Sequence, residues 1–87
     1  MENYRKTLQV FDLFLDSIDI DNQSPFFCVT IHPNQKEIRL LSWMEEYSYI
    51  LSKIESIYKI KFVADDSNDL CAEFNINNVL INISFCN

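Results

Sequence analysis

The sequence predicts a single α+β domain of order α-β-β-α-β-β-β, and three observations predict it. Apolar residues recur at spacings of three and four in two segments, as the buried stripe of a helix requires. They alternate along five others, as half-buried strands require. Turn-forming clusters separate these segments, and no linker, repeat or low-complexity stretch interrupts the 87 residues. The expected sheet is antiparallel, an N-terminal hairpin plus a C-terminal three-stranded meander, packed by two helices.

Residues 3–18 predict the first helix, with Tyr4, Leu8, Phe11, Leu15 and Ile18 on one stripe and Phe14 widening it. Its charges oppose the helix dipole: Arg5 and Lys6 stand at the start, Asp16, Asp19 and Asp21 at and beyond the end. Each exposed charge so placed costs roughly a few tenths of a kcal/mol. Local rule-breaking of this kind marks places where function is worth seeking.

After Asp21-Asn22-Gln23-Ser24-Pro25 comes a strand from Phe26 to His32, with Phe27, Val29 and Ile31 on one face. Pro33-Asn34-Gln35-Lys36 turns the chain and Glu37 to Leu41 returns. Pairing His32 with Glu37 sets Ile31 opposite Ile38 and Val29 opposite Leu40, so one face is apolar throughout. Ser42-Trp43-Met44-Glu45 then reads as a capping box, Ser at the N-cap and Glu three residues on. The helix it opens carries Met44, Tyr47, Leu51, Ile54 and Tyr58, backed by Ile50 and Ile57.

The meander follows. Tyr58, Ile60, Phe62 and Ala64 alternate, then Leu70, Ala72, Phe74 and Ile76, then Val79, Ile81, Ile83 and Phe85. Pairing Ala64 with Leu70 and Ile76 with Val79 keeps one face apolar and sets Lys61 across from Glu73. Asn77-Asn78 supplies the second turn, Asn being the usual substitute where φ must be positive without Gly.

Composition removes several functions. With 48% hydrophobic and 23% charged residues, the chain is no disordered segment. Thirteen acids against seven Lys and Arg give a net charge of -6, which argues against a stand-alone nucleic-acid binder. The chain has no glycine, so phosphate loops and dinucleotide fingerprints that need it are excluded. Cys28, Cys71 and Cys86 are odd in number and fall in strand-like runs. They are expected to be free thiols in a reducing, cytoplasmic setting. Asp12 and Asp16 break the first apolar stretch, so no secretory signal is expected there, and no run suggests a membrane span.

Catalytic and metal chemistries find little support. His32 with the three cysteines lacks paired C-x-x-C spacing for zinc. Asp19-Ile20-Asp21-Asn22-Gln23 starts like a calcium loop but lacks its turn Gly and bidentate Glu. A single histidine beside Pro33 offers no triad, and the acids cluster in turns rather than in a cleft. No enzyme activity, cofactor or metal is expected.

Charge distribution carries the remaining signal. Residues 65–87 contain Asp65, Asp66, Asp69 and Glu73 and no Lys or Arg. With Asp16, Asp19 and Asp21 these acids are expected to form one protein-binding surface that meets a basic partner. In size, acidity and lack of catalytic equipment the chain is similar to bacterial toxin-immunity proteins and phage anti-defence proteins, anti-CRISPRs among them. That similarity of type implies an inhibitor of a nuclease or other nucleic-acid-processing enzyme, with carboxylates in the place of phosphates. A second reading starts from Val79 to Cys86, a strand without charge, and expects a homodimer or adaptor that pairs through it. A third, a nucleic-acid binder, requires Arg39, Lys53, Lys59 and Lys61 to share one face.

Overall fold

In a computed structural model, which describes residues 2–18, 25–64 and 70–87, the chain forms two helices and a five-stranded sheet. In order these are α1 (Glu2–Ile18), β1 (Phe26–His32), β2 (Glu37–Trp43), α2 (Tyr47–Ile54), β3 (Lys61–Ala64), β4 (Leu70–Ile76) and β5 (Val79–Cys86). The α+β class and both antiparallel units stand as the alternation predicts. His32 faces Glu37, Ile31 faces Ile38 and Val29 faces Leu40. Ala64 faces Leu70, and Ile76 faces Val79.

The two units join along a seam that alternation cannot reveal. The strand order is β1-β2-β5-β4-β3, and β2 runs parallel to β5. The sheet is therefore mixed rather than wholly antiparallel. β5 lies at its centre, hydrogen-bonded on both sides, which explains why it needs no charge to guard it. The edges are β1 and β3, so Val79–Cys86 offers no open backbone edge for a homodimer.

Both helices cover one face. Phe14 of α1 is fully buried, its ring 6.1 Å from Phe26 and 5.5 Å from Phe74. Tyr47 of α2 meets Phe85 edge-on at 5.0 Å. Beneath them Ile38, Leu40, Ile81, Ile83 and Phe85 are fully buried. Each such side chain contributes about 1.5–3 kcal/mol, against about 0–1 kcal/mol for the surface pair Arg39–Glu37. Apolar burial therefore holds the fold.

Three local expectations are corrected. The buried line of α1 is Thr7, Val10, Phe14 and Ile18, while Tyr4 is exposed, so Phe14 is the centre of the stripe rather than its margin. β1 carries a bulge between Phe26 and Cys28. The extra residue turns Phe26 inward and leaves Phe27 48% exposed, off the face that Val29 and Ile31 share. Ser42 is no helix cap. It continues β2 opposite Phe85, and its buried Oγ donates to the Pro25 carbonyl at 2.9 Å. A short 3-10 turn, Met44–Glu46, follows, and α2 ends at Ile54, leaving Ile57 exposed.

Candidate functional site

Among the described residues no helix covers the second face of the sheet, and its side chains form cross-strand rows. At one end Trp43 stands beside Cys86. The next row runs Cys28, Leu41, Ser84, Cys71 and Val63. Then come Thr30, Arg39, Asn82, Glu73 and Lys61. The rows pass from apolar to polar along the strands.

The apolar end is where surface chemistry concentrates. The bulge brings Phe27 over Trp43, rings stacked at 4.5 Å and 25°. Trp43 remains 47% exposed. Such a pair is worth about 0.5–1.5 kcal/mol beyond the area it buries, yet much of its apolar surface still faces water. Beside it Trp43, Met44, Glu45, Cys86 and Asn87 line an open cavity of about 340 Å³. An exposed tryptophan with an aromatic neighbour is the usual composition of a protein-binding anchor.

The sequence-predicted acidic residues divide. Asp19, Asp21, Asp65, Asp66 and Asp69 lie outside the described residues. The described residues beside them are informative: Phe26, Ser42, Phe85, Leu70 and Ala64 form one continuous cross-strand row. The 65–69 segment joins Ala64 to Leu70, and the 19–24 segment leads through Pro25 into Phe26. Both thus meet the sheet at the end that carries Trp43, though at opposite edges, about 19 Å apart at the usual strand spacing.

Asp16 is exposed on α1, on the helical side. Glu73 is on the opposite face, half-buried, and accepts a hydrogen bond from Asn82 Nδ2 at 3.2 Å. The structure does not bring these two together. Lys61 faces Glu73 in register, but the carboxylate is engaged by Asn82 and no ion pair forms between them.

The cysteines all face the uncovered side and none is bonded to another. Cys71 is buried and its thiol donates to Ser84 Oγ at 3.2 Å, since the Ser84 hydroxyl donates to Asn82 Oδ1 at 3.3 Å. Among the described residues, no three His, Cys, Asp or Glu side chains converge as metal ligands. The third reading also loses its premise. Arg39 and Lys61 share the uncovered face, but Lys53 is on α2, its ammonium 5.7 Å from the Tyr49 ring.

The exposed Phe27–Trp43 pair departs from the sequence expectation, which places Phe27 on the inward face and Trp43 at a helix start. The signal was present: two consecutive aromatics in a strand cannot both face the core, and Trp43 continues the outward series Glu37, Arg39, Leu41. No helix among the described residues is long and apolar enough to cross a membrane. Comparison with protein-family models, with curated proteins and with solved structures finds no match to this chain.

Proposed function

We propose that the chain is a small acidic, non-catalytic protein that binds and blocks a partner with a basic surface. The class of partner is a nuclease or other nucleic-acid-processing enzyme, as for toxin-immunity and anti-CRISPR inhibitors, and the setting is the cytoplasm. The observation that carries the reading is the stacked Phe27–Trp43 pair, half exposed beside Glu45 and at the sheet end where both aspartate-rich segments attach. In this reading the carboxylates and the aromatic pair divide the work of binding. The net charge of -6 speeds encounter with a basic surface, and the buried aromatic area sets how long the complex lasts. Asp19, Asp21, Asp65, Asp66 and Asp69 remain the proposed acidic contacts, with Glu45 and Trp43 added, whereas Asp16 and Glu73, on opposite sides of the sheet, leave the set. The self-association reading lacks its strand, since β5 is paired on both sides.

Capture from a lysate of the native host, with wild type and Trp43→Ser at low and high salt, tests this. The expected result is a basic nucleic-acid-processing protein that wild type retains at low salt, that high salt releases, and that the variant fails to hold. An identical set of proteins on both baits, or retention that ignores ionic strength, contradicts it.

A further inference from the structure

At the other end of the sheet, furthest from Trp43, the chain gathers positive charge around a concavity. Lys6 and Thr7 of α1, Lys36 of the β1–β2 turn and Asn77-Asn78 of the β4–β5 turn line a cleft of about 180 Å³ with Val79. A second cleft, about 350 Å³, adjoins it and shares Lys6, Asn77 and Val79, adding Gln9, Val10 and Leu13. The larger volume is at the lower end of the range typical of small-molecule sites.

The backbone holds the cationic wall in place. Lys36 adopts φ 51°, a left-handed conformation that favours glycine, and Asn77 and Asn78 adopt 50° and 69°. The Lys36 carbonyl accepts from Leu80 N at 2.9 Å, and its own N–H donates to Pro33 O at 3.2 Å, so the two turns are tied side by side. Among the described residues, no carboxylate lines either cleft. Glu37, next to Lys36 in sequence, is bound instead to Arg39 on the uncovered face. Neither lysine is in an ion pair among the described residues.

Two of the seven Lys and Arg residues of an acidic chain thus line one cleft from separate elements, together with Asn77 and Asn78. In a molecule of charge -6, which repels anions at long range, two ammonium groups with no ion-pair partner among the described residues are the feature an anionic ligand requires. The groove that continues from them offers one exposed apolar side chain, Leu13 at 48%, beside the buried Val10 and Val79 and the polar Gln9.

From this geometry we infer a binding site for a small amphipathic anion, a carboxylate or phosphate monoester head carrying a short hydrocarbon chain. The head is held by Lys6, Lys36 and the Asn77-Asn78 carboxamides. The chain is laid along Val10, Leu13 and Val79. Displacing water from Leu13 gives such a ligand an apolar gain that inorganic phosphate lacks. The site is separate from the aromatic end, and its test does not depend on any protein partner.

Two-dimensional amide NMR of the full chain, titrated with octanoate, octyl phosphate, inorganic phosphate and 1-octanol, tests it. Saturable shifts of Lys6, Leu13, Asn77, Asn78 and Val79 with octanoate or octyl phosphate are expected, and the tighter of the two identifies the preferred head. The double variant K6Q/K36Q, altered only at exposed side chains, is expected to weaken that ligand about tenfold or more. Leu13→Ser is expected to weaken octanoate and leave the response to phosphate unchanged. Absence of saturable shifts with both alkyl anions, equal binding of neutral octanol, or equal affinity in a folded K6Q/K36Q variant would overturn the inference.

Discussion

Ser42 illustrates how a single residue can satisfy two local rules while the tertiary structure selects one. In sequence it begins a capping box with Glu45. In the fold β5 extends far enough to pair Ser42 with Phe85 and Trp43 with Cys86, so the strand continues through the motif. The hydroxyl is then spent on Pro25, closing the entrance to β1. Removing it leaves a part-buried carbonyl without this partner, at a cost of about 1 kcal/mol. Ser42→Ala is therefore expected to lower unfolding free energy by about 1 kcal/mol and to speed hydrogen exchange around Phe26 and Phe27. Faster exchange confined to Tyr47–Ile50 would instead reinstate the capping role. Phe27 and Trp43 follow the same logic. Alternation and the capping box suggest a core face and a helix start; the bulge decides otherwise for Phe27, and the β5 pairing does so for Trp43.

At the scale of elements, hairpin registers were legible because a one-residue slip would turn every apolar side chain outward. The β1–β2, β3–β4 and β4–β5 pairings follow from that constraint alone. The parallel seam was not legible, since β2 and β5 show the same alternation whichever way they run. The end of α2 was misjudged because apolar spacing continues to Ile57 and Tyr58 past the last helical turn. Tyr58 still packs, stacked on Phe74 at 4.8 Å with its hydroxyl 2.6 Å from Ser17 Oγ, but from a turn rather than a helix. The Asn77-Asn78 turn was anticipated in full. Both residues have positive φ, the geometry of a type I′ hairpin. Asn78→Ala is expected to cost about 1 kcal/mol in urea denaturation, whereas Asn78→Gly is expected to be neutral or stabilising. Equal loss in both variants would show that the carboxamide, rather than the backbone, matters there.

The whole molecule is polar along its strands. One end carries Lys6 and Lys36, the other Trp43, Glu45 and the points where both aspartate-rich segments join the sheet. The inverted charge order of α1, costly by helix-dipole rules, agrees with this larger polarity: Arg5 and Lys6 belong to the half nearer the cationic cleft. What the sequence made visible was the existence of the acidic segments. It could not show that Asp16 and Glu73 stand on opposite sides of the sheet, because that depends on strand order and helix cover rather than on spacing. The ionic-strength dependence of affinity for the captured partner, measured for wild type and for the triple variant Asp65→Asn, Asp66→Asn, Asp69→Asn, tests the central claim most directly. Binding through these carboxylates requires that wild-type affinity fall steeply with salt and that the variant bind more weakly with a shallower dependence. Equal affinities and equal salt dependence for the two chains would contradict it.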